Sequence, residues 1–216
     1  MPGNTEYEIL ENWCKELNLN ITSEAINKFK IYAQLINEWN KKINLVSRKD
    51  ISRIVSYHFV DSVSSVFLIP YNTDVADLGS GAGLPGIPIK IVRPDLKLTL
   101  IESIKKKAQF LNEVVKTLCL DNTQILSVRA ELISELQCDI ILVRLVGKIK
   151  DILQIANPLL RPQGRVIFYK SKHVDYEIEE AQKIASKMHY NLNQINEVKL
   201  PNINIIRKFV IYTKVL

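Results

Sequence analysis

Apolar residues recur at helical spacing through the first seventy positions, then give way to short continuous apolar runs. Thr22 can cap a helix whose apolar positions Ile26, Phe29, Ala33, Ile36 and Ile43 follow three/four spacing, with Trp39 alongside. Asp50 opens a second such stretch, in which Ile51, Ile54, Val55, His58, Phe59, Ser62, Val63 and Val66 share one face. A shorter helix is expected over Tyr7–Leu17, and Pro70 and Asn72 break the pattern.

From Asp74 the texture becomes alternating strand and helix. Expected strands are Val75–Leu78, Leu98–Ile101, Gln124–Val128, Ile140–Val143 and Arg165–Tyr169. Helical stretches fall between and after them: Pro85–Val92, Lys105–Leu118, an ill-defined piece near Glu131–Leu136, Ile149–Leu160 and Tyr176–Met188. Two extended segments, Leu192–Leu200 and Lys208–Val215, close the chain through Pro201-Asn202. Strands separated by helices imply right-handed crossovers and a mostly parallel sheet covered on both faces. The expectation is an α/β fold with a C-terminal antiparallel hairpin and a helical N-terminal extension, divided as 1–72 and 73–216.

A length of 216 residues suits one large domain, or one with a small appendage. No apolar run approaches the ~18–20 residues that span a bilayer, and the amino terminus shows no basic and apolar leader, so a soluble, cytoplasmic protein is expected. Cys14, Cys119 and Cys138 are too few and too scattered for a disulfide framework or zinc knuckle, and read as small buried apolar residues. His173 and His189 lack metal-ligand partners at suitable spacing. Residues 1–72 hold eight basic and eight acidic side chains, so the whole net charge of +6 belongs to the remainder. That surplus suits a polyanion such as RNA, but charge alone favours the plainer reading of an Ile-, Lys- and Asn-rich composition with a solvated surface.

The segment Val75-Ala76-Asp77-Leu78-Gly79-Ser80-Gly81-Ala82-Gly83-Leu84-Pro85-Gly86 carries the most chemistry. An apolar strand enters a loop with Gly at alternate positions, where backbone can approach a ligand closely and the N–H groups of a helix start suit a nucleotide or carboxylate. Pro85 and Pro88 fall in the first helical turn, where a missing N–H costs little. Two frames fit. Gly81 to Gly86 matches the dinucleotide pattern GxGxxG, weak by itself. The other frame, Asp77-x-Gly79-x-Gly81-x-Gly83, resembles motif I of S-adenosylmethionine (AdoMet) methyltransferases. Glu102 ends the next strand about 20 residues on, where an acid can hold ribose hydroxyls of either ligand. The Walker A lysine and hydroxyl are missing, which argues against an NTPase. The residues just past the strands (Gly79 and Gly81, Glu102, Arg129-Ala130-Glu131, Arg144, Lys170) should share one edge of the sheet.

Further stretches make the resemblance specific. Trp39-Asn40-Lys41-Lys42-Ile43-Asn44-Leu45, His58-Phe59-Val60-Asp61-Ser62, the run Asp77 to Pro88 continuing to Ile91-Val92-Arg93-Pro94, and Glu102-Ser103 with Lys105-Lys106 together resemble the small-subunit ribosomal RNA guanine-N7 methyltransferase family. The resemblance spans roughly residues 30–172. It implies a Rossmann-like AdoMet-dependent methyltransferase fold acting on 16S rRNA or the small ribosomal subunit, with no metal. It also implies that Gly79 and Leu84, together with Asp77, Gly81 and Gly83 of the loop, line the AdoMet site. Glu102 would lie at the ribose, Ala130 and Glu131 beside the adenine, and Arg144 would complete the pocket. Arg144-Leu145 and Lys170-Ser171 depart from the family's Arg-Ala and Lys-Gly.

Methyl transfer from a sulfonium is an in-line displacement that chiefly needs alignment. Guanine N7 offers a lone pair with no proton to remove, so no general base is expected. An exocyclic-amine methyltransferase would resemble its relatives in an Asn/Asp-Pro-Pro-aromatic motif after the fourth strand, where this chain has Val143-Arg144-Leu145-Val146. A cytosine-C5 enzyme needs a cysteine nucleophile, but Cys138 falls at the wrong end of that strand and Cys14 and Cys119 on expected helices. Arg144 is assigned to the methionine carboxylate or an RNA phosphate. Arg93, Lys105, Lys106, Lys107 and Lys170 are candidate RNA contacts. His58 and Asp61, three apart on one helix, read as hydrogen-bonded positioning residues ahead of direct chemistry, and Trp39 as core; the family resemblance at both positions implies that their helix packs over the cleft as a lid. A small-molecule AdoMet methyltransferase, an NAD-dependent oxidoreductase and a non-catalytic RNA-binding subunit remain as alternatives.

Overall fold

The computed structural model describes residues 3–201 and 203–215, so Asn202 of the expected Pro201-Asn202 joint lies outside the described residues. Among the described residues, seven strands form one sheet: β1 (Asp74–Leu78), β2 (Lys97–Ile101), β3 (Thr123–Leu126), β4 (Cys138–Arg144), β5 (Leu160–Lys170), β6 (Tyr190–Lys199) and β7 (Ile206–Lys214). Their order is β3-β2-β1-β4-β5-β7-β6, with β1 to β5 parallel and β7 antiparallel to both β5 and β6. The hairpin thus closes the sheet as expected, with β7 inserted beside β5 and β6 left at the edge.

Side chains alternate between two cores with the period of two that a pleated strand imposes. Val75, Leu98, Leu100, Ile140, Leu142, Ile167 and Phe209 face one side; Ala76, Leu78, Ile101, Ile141, Val143, Phe168 and Val210 face the other. Helices α5 (Gly86–Val92) and α6 (Lys105–Thr117) pack on the first face through Ile87, Ile89, Phe110, Leu111 and Val114. Helices α7 (Ile149–Ala156) and α8 (Asp175–Lys187) pack on the second through Ile152, Leu153, Ile178 and Ala181.

Right-handed crossovers leading in opposite directions from β1 and β4 place their helices on opposite faces. The first face would be bare over β4, β5 and β7. The N-terminal segment covers it: α1 (Asn4–Glu16), α2 (Ser23–Trp39), α3 (Arg48–Ile51), a π-helical turn Ile54–Phe59 and α4 (Val60–Val63) contribute Leu10, Phe29, Tyr32, Ile36, Val55 and Val63 to the same core. Thr22 caps α2 by accepting from the Ala25 N–H at 3.1 Å. Buried Tyr169 of β5 donates its hydroxyl to the Ser62 carbonyl at 2.9 Å, and Phe67 packs edge-on to Phe209 of β7. Trp39 packs against Phe110, ring centroids 5.7 Å apart, in agreement with a core role.

Three expectations need correction. The continuous helix after Asp50 is broken by two turn residues and a wide π turn, which carries His58. The piece near Glu131–Leu136 reduces to one 3-10 turn, Ala130–Leu132. Cys119 is exposed rather than buried, because it follows the end of α6 in a left-handed conformation (φ +48°); Cys14 and Cys138 are buried.

Candidate active site

The sheet order reverses between β1 and β4, and a crevice opens beyond the carboxyl ends of strands at such a point. Its floor is the loop after β1. Gly79, Gly81 and Gly83 have φ of +71°, +57° and +85°, a region that L side chains enter only at a cost. A Cβ on Gly79 would stand 2.6 Å from Val146 Cγ2, and one on Gly83 would stand 2.4 Å from Ile87 Cδ1. Gly83 therefore serves the packing of the loop on α5 and α2 and lies outside the crevice lining. Tyr32 of α2, stacked on Phe59, donates its hydroxyl to the Ala82 carbonyl and holds the loop from above.

Most of the loop's N–H groups are occupied by protein oxygens. Gly79 and Ser80 donate to the Ile101 carbonyl, and Gly83 and Leu84 to that of Ser80. Gly81 donates to Glu102 Oε2 at 2.9 Å. The N–H of Gly86, which begins α5, donates to Asp77 Oδ2 at 2.9 Å. Asp77 thus lies beneath the loop as the cap of α5, where a cofactor contact was expected, and it lines neither cavity. Burial, with Glu102 nearby, raises its pKa to about 7, and its other oxygen is buried with no partner. The free N–H groups expected at the helix start are consumed by this carboxyl and by the Gly83 carbonyl. A pyrophosphate would find a carboxylate and spent donors here, which argues against the dinucleotide frame.

Two cavities meet at Gly79, Glu102 and Val146. One, of about 320 Å³, is lined by Ile101, Ala130, Glu131, Ile152 and Ile155 among others. The second, of about 500 Å³, is bounded by Val46, Ser47, Asp50, His58, Ser80, Gly81, Leu84, Lys107, Arg144 and Leu145. Glu102 is buried at the junction, its Oε1 accepting from the Ile104 N–H at 2.7 Å and its Oε2 from Gly81. Each carboxylate oxygen retains a further lone pair for a hydroxyl donor. Two chambers of mixed apolar and polar lining that meet at one acid fit a nucleoside carrying an amino-acid arm, which is the chemistry of AdoMet.

The wall opposite the loop is built from side chains. Asp61, fully buried, takes Nε and Nη2 of Arg207 from β7 at 2.7 and 2.9 Å, and Arg144 Nε lies 3.2 Å from its Oδ2. Arg144 also donates to Ser62 Oγ at 2.9 Å and to His58 Nδ1. His58 Nε2 faces Asp50 Oδ2 at 3.5 Å. Burial, and then Arg144, lower the His58 pKa to about 4, so the ring is neutral at pH 7 with its proton on Nε2. The carboxylate of Asp50, despite partial burial, is kept below its usual range by Ser47 and Arg53.

The sequence profile described as rRNA small subunit methyltransferase G matches residues 25–206, which include every residue that lines the two cavities. The chain belongs to that family. It is 36% identical over 213 residues to the ribosomal RNA small subunit methyltransferase G of Desulforamulus reducens, covering 95% of this chain and 89% of that one. The protein of the same name from Thermoanaerobacter pseudethanolicus is 33% identical over 219 residues, covering 98% and 91%. Among solved structures, M. jannaschii TYW2 in complex with AdoMet superposes with a TM-score of 0.56 at 19% identity, covering 72% of this chain and 74% of that one. It shares the fold.

Within this family member, Gly79, Gly81, Leu84, Glu102, Ala130, Glu131 and Arg144 come together around the cleft. The basic candidates divide. Lys107 lines the larger cavity, and Lys105 and Lys106 are exposed beside it at the start of α6. Lys170 is tied to Glu177 at 2.6 Å and to the Gly147 carbonyl. Arg93 is corrected outright: it is buried at the opposite edge of the sheet, donating to the Ile69 and Pro70 carbonyls before β1 and to Asp95. A guanidinium satisfied by two carbonyls and a carboxylate is a structural clamp and presents nothing to RNA.

Sequence reasoning missed Arg207, Ser47, Asp50 and Val46 as cleft-building residues. Asn40 supplied a usable signal. An Asn at a helix end binds local backbone, and here its Oδ1 accepts from the Leu45 and Val46 N–H groups at 2.8 and 3.0 Å, folding that segment over the cleft.

Proposed function

We propose that this chain transfers a methyl group from AdoMet to N7 of a guanosine in 16S ribosomal RNA, with the small ribosomal subunit or its RNA as partner. What carries the reading is that the family match includes every residue that lines the two cavities. Glu102 would bind ribose hydroxyls, with Gly79, Gly81 and Leu84 along the donor and Ala130 and Glu131 beside the adenine. AdoMet supplies the electrophilic methyl of its sulfonium.

The chain's own part is alignment and exclusion of water. Arg144, its charge offset by Asp61, fixes the orientation of His58 and the cleft wall. Lys107, with Lys105 and Lys106, offers cations to RNA phosphates at the mouth. The carboxylates and the imidazole facing the chamber are engaged: His58 by Arg144, Asp50 by Ser47 and Arg53, Glu102 by two N–H groups. That arrangement suits an acceptor needing no deprotonation.

The test is incubation with labelled AdoMet and small-subunit RNA or small subunits, followed by chemical cleavage at N7-methylguanosine. One cleaved guanosine is expected. Label in small molecules alone, or none in RNA, would refute the reading.

A further inference from the structure

Leu145 stands out against every other large apolar residue of the described chain. It is 82% exposed, more than Tyr71, Leu132 or Tyr176, yet it lines the larger cavity. Its backbone is left-handed, with φ +61°. Other side chains with positive φ have local reasons: Asn18, Cys119 and His189 follow helix ends, Asn72 and Asn122 sit in turns before strands, and Gln163 lies where the pairing of β5 with β4 jumps from Leu160 to Arg165. Leu145 has none of these settings, and a branched aliphatic side chain gains nothing from this conformation.

Its neighbours explain how it is held there. Arg144 is buried and pinned by Ser62, His58 and Asp61. Val146 packs on the bare Cα of Gly79. With both flanks anchored inward, residue 145 is extruded at the cleft mouth. Glycine would make this bend without strain, as Gly147 does two residues later at φ +52°. The sequence instead places a leucine where its backbone is disfavoured and its side chain is wet.

We propose that Leu145 is a substrate-contacting residue, whose side chain packs on the face of the target purine and sets how deeply the base enters the chamber beside Glu102 and Arg144. The inference rests on the functional reading above. An apolar tip with Lys107 on the same cavity rim suits a flat base attached to a phosphate chain.

Steady-state methylation of small ribosomal subunits with labelled AdoMet tests it, using wild type, Leu145→Gly and Leu145→Met. Leu145→Gly should keep or raise Tm, because strain is relieved, and should leave the AdoMet dissociation constant unchanged. Its kcat/KM for subunits should fall on the order of tenfold or more, with Leu145→Met, which keeps an apolar reach, recovering most of the loss. Unchanged kcat/KM in Leu145→Gly would overturn the assignment, as would a loss that follows AdoMet affinity or Tm. A wild-type protein that methylates no guanosine would instead bring down the functional reading and this inference with it.

Discussion

The two walls of the cleft are made in opposite ways. The loop from Asp77 to Gly86 is backbone: glycines with positive φ, most N–H groups satisfied within the loop, by the adjacent strand or by Glu102 just after it, and a carboxyl underneath. The facing wall is a chain of side chains, Arg207–Asp61–Arg144–His58–Asp50, drawn from β7, α4, β4, the π turn and α3. A backbone wall resists substitution locally. A side-chain wall transmits the loss of one member to all.

The largest effect should therefore come from Asp61→Ala. It leaves Arg207 and Arg144 buried without their carboxylate, and removing one partner of such a group costs about 3–5 kcal/mol. Urea titration measures it. The double variant with Arg207→Met should lose less than the sum of the single losses; full additivity would mean that the residues do not act together.

The walls should also differ in pH dependence. His58 is depressed from 6.5 to about 4, so its contribution is present above pH 6.5 and lost as pH falls toward 4. Asp77 is raised from 3.8 to about 7, so its contribution is present below pH 3.8 and lost as pH rises through 7. Between about pH 4 and 6.5 the two trends oppose, each worth about 3 kcal/mol at most. Asp77→Asn should unmask stability that rises with pH, and His58→Gln stability that falls. Parallel profiles in the two variants would contradict this.

Smaller effects separate the glycines. Gly83→Ala should cost about 2 kcal/mol or more, because its Cβ meets Ile87 and its φ is unfavourable. Gly81→Ala should cost about 1 kcal/mol, since nothing but the Gly79 carbonyl lies near, while still weakening AdoMet binding by filling the cleft.

The same contrast explains what the sequence could disclose. Strand-by-strand order, the glycine loop and Glu102 follow from local spacing, and each lies within a few residues of its expected place. Asp77 shows the limit: its type and position were readable, but whether its carboxyl turned toward ligand or toward the Gly86 N–H was not. Arg93 shows it again, since a basic residue beside a proline signals nothing about the two carbonyls and the carboxylate that surround it. Arg207 could not be connected to Asp61 at all, because 146 residues separate them and only the insertion of β7 beside β5 brings them together.

The proposed function places the ribose of AdoMet on Glu102, at the junction of the two cavities. Calorimetric titration of wild type and Glu102→Ala with AdoMet, with NAD as control, tests it most directly. The account predicts saturable heat with AdoMet, none with NAD, and at least tenfold weaker AdoMet binding in the variant. Equal affinity for AdoMet in the two proteins, or heat with NAD alone, would contradict it.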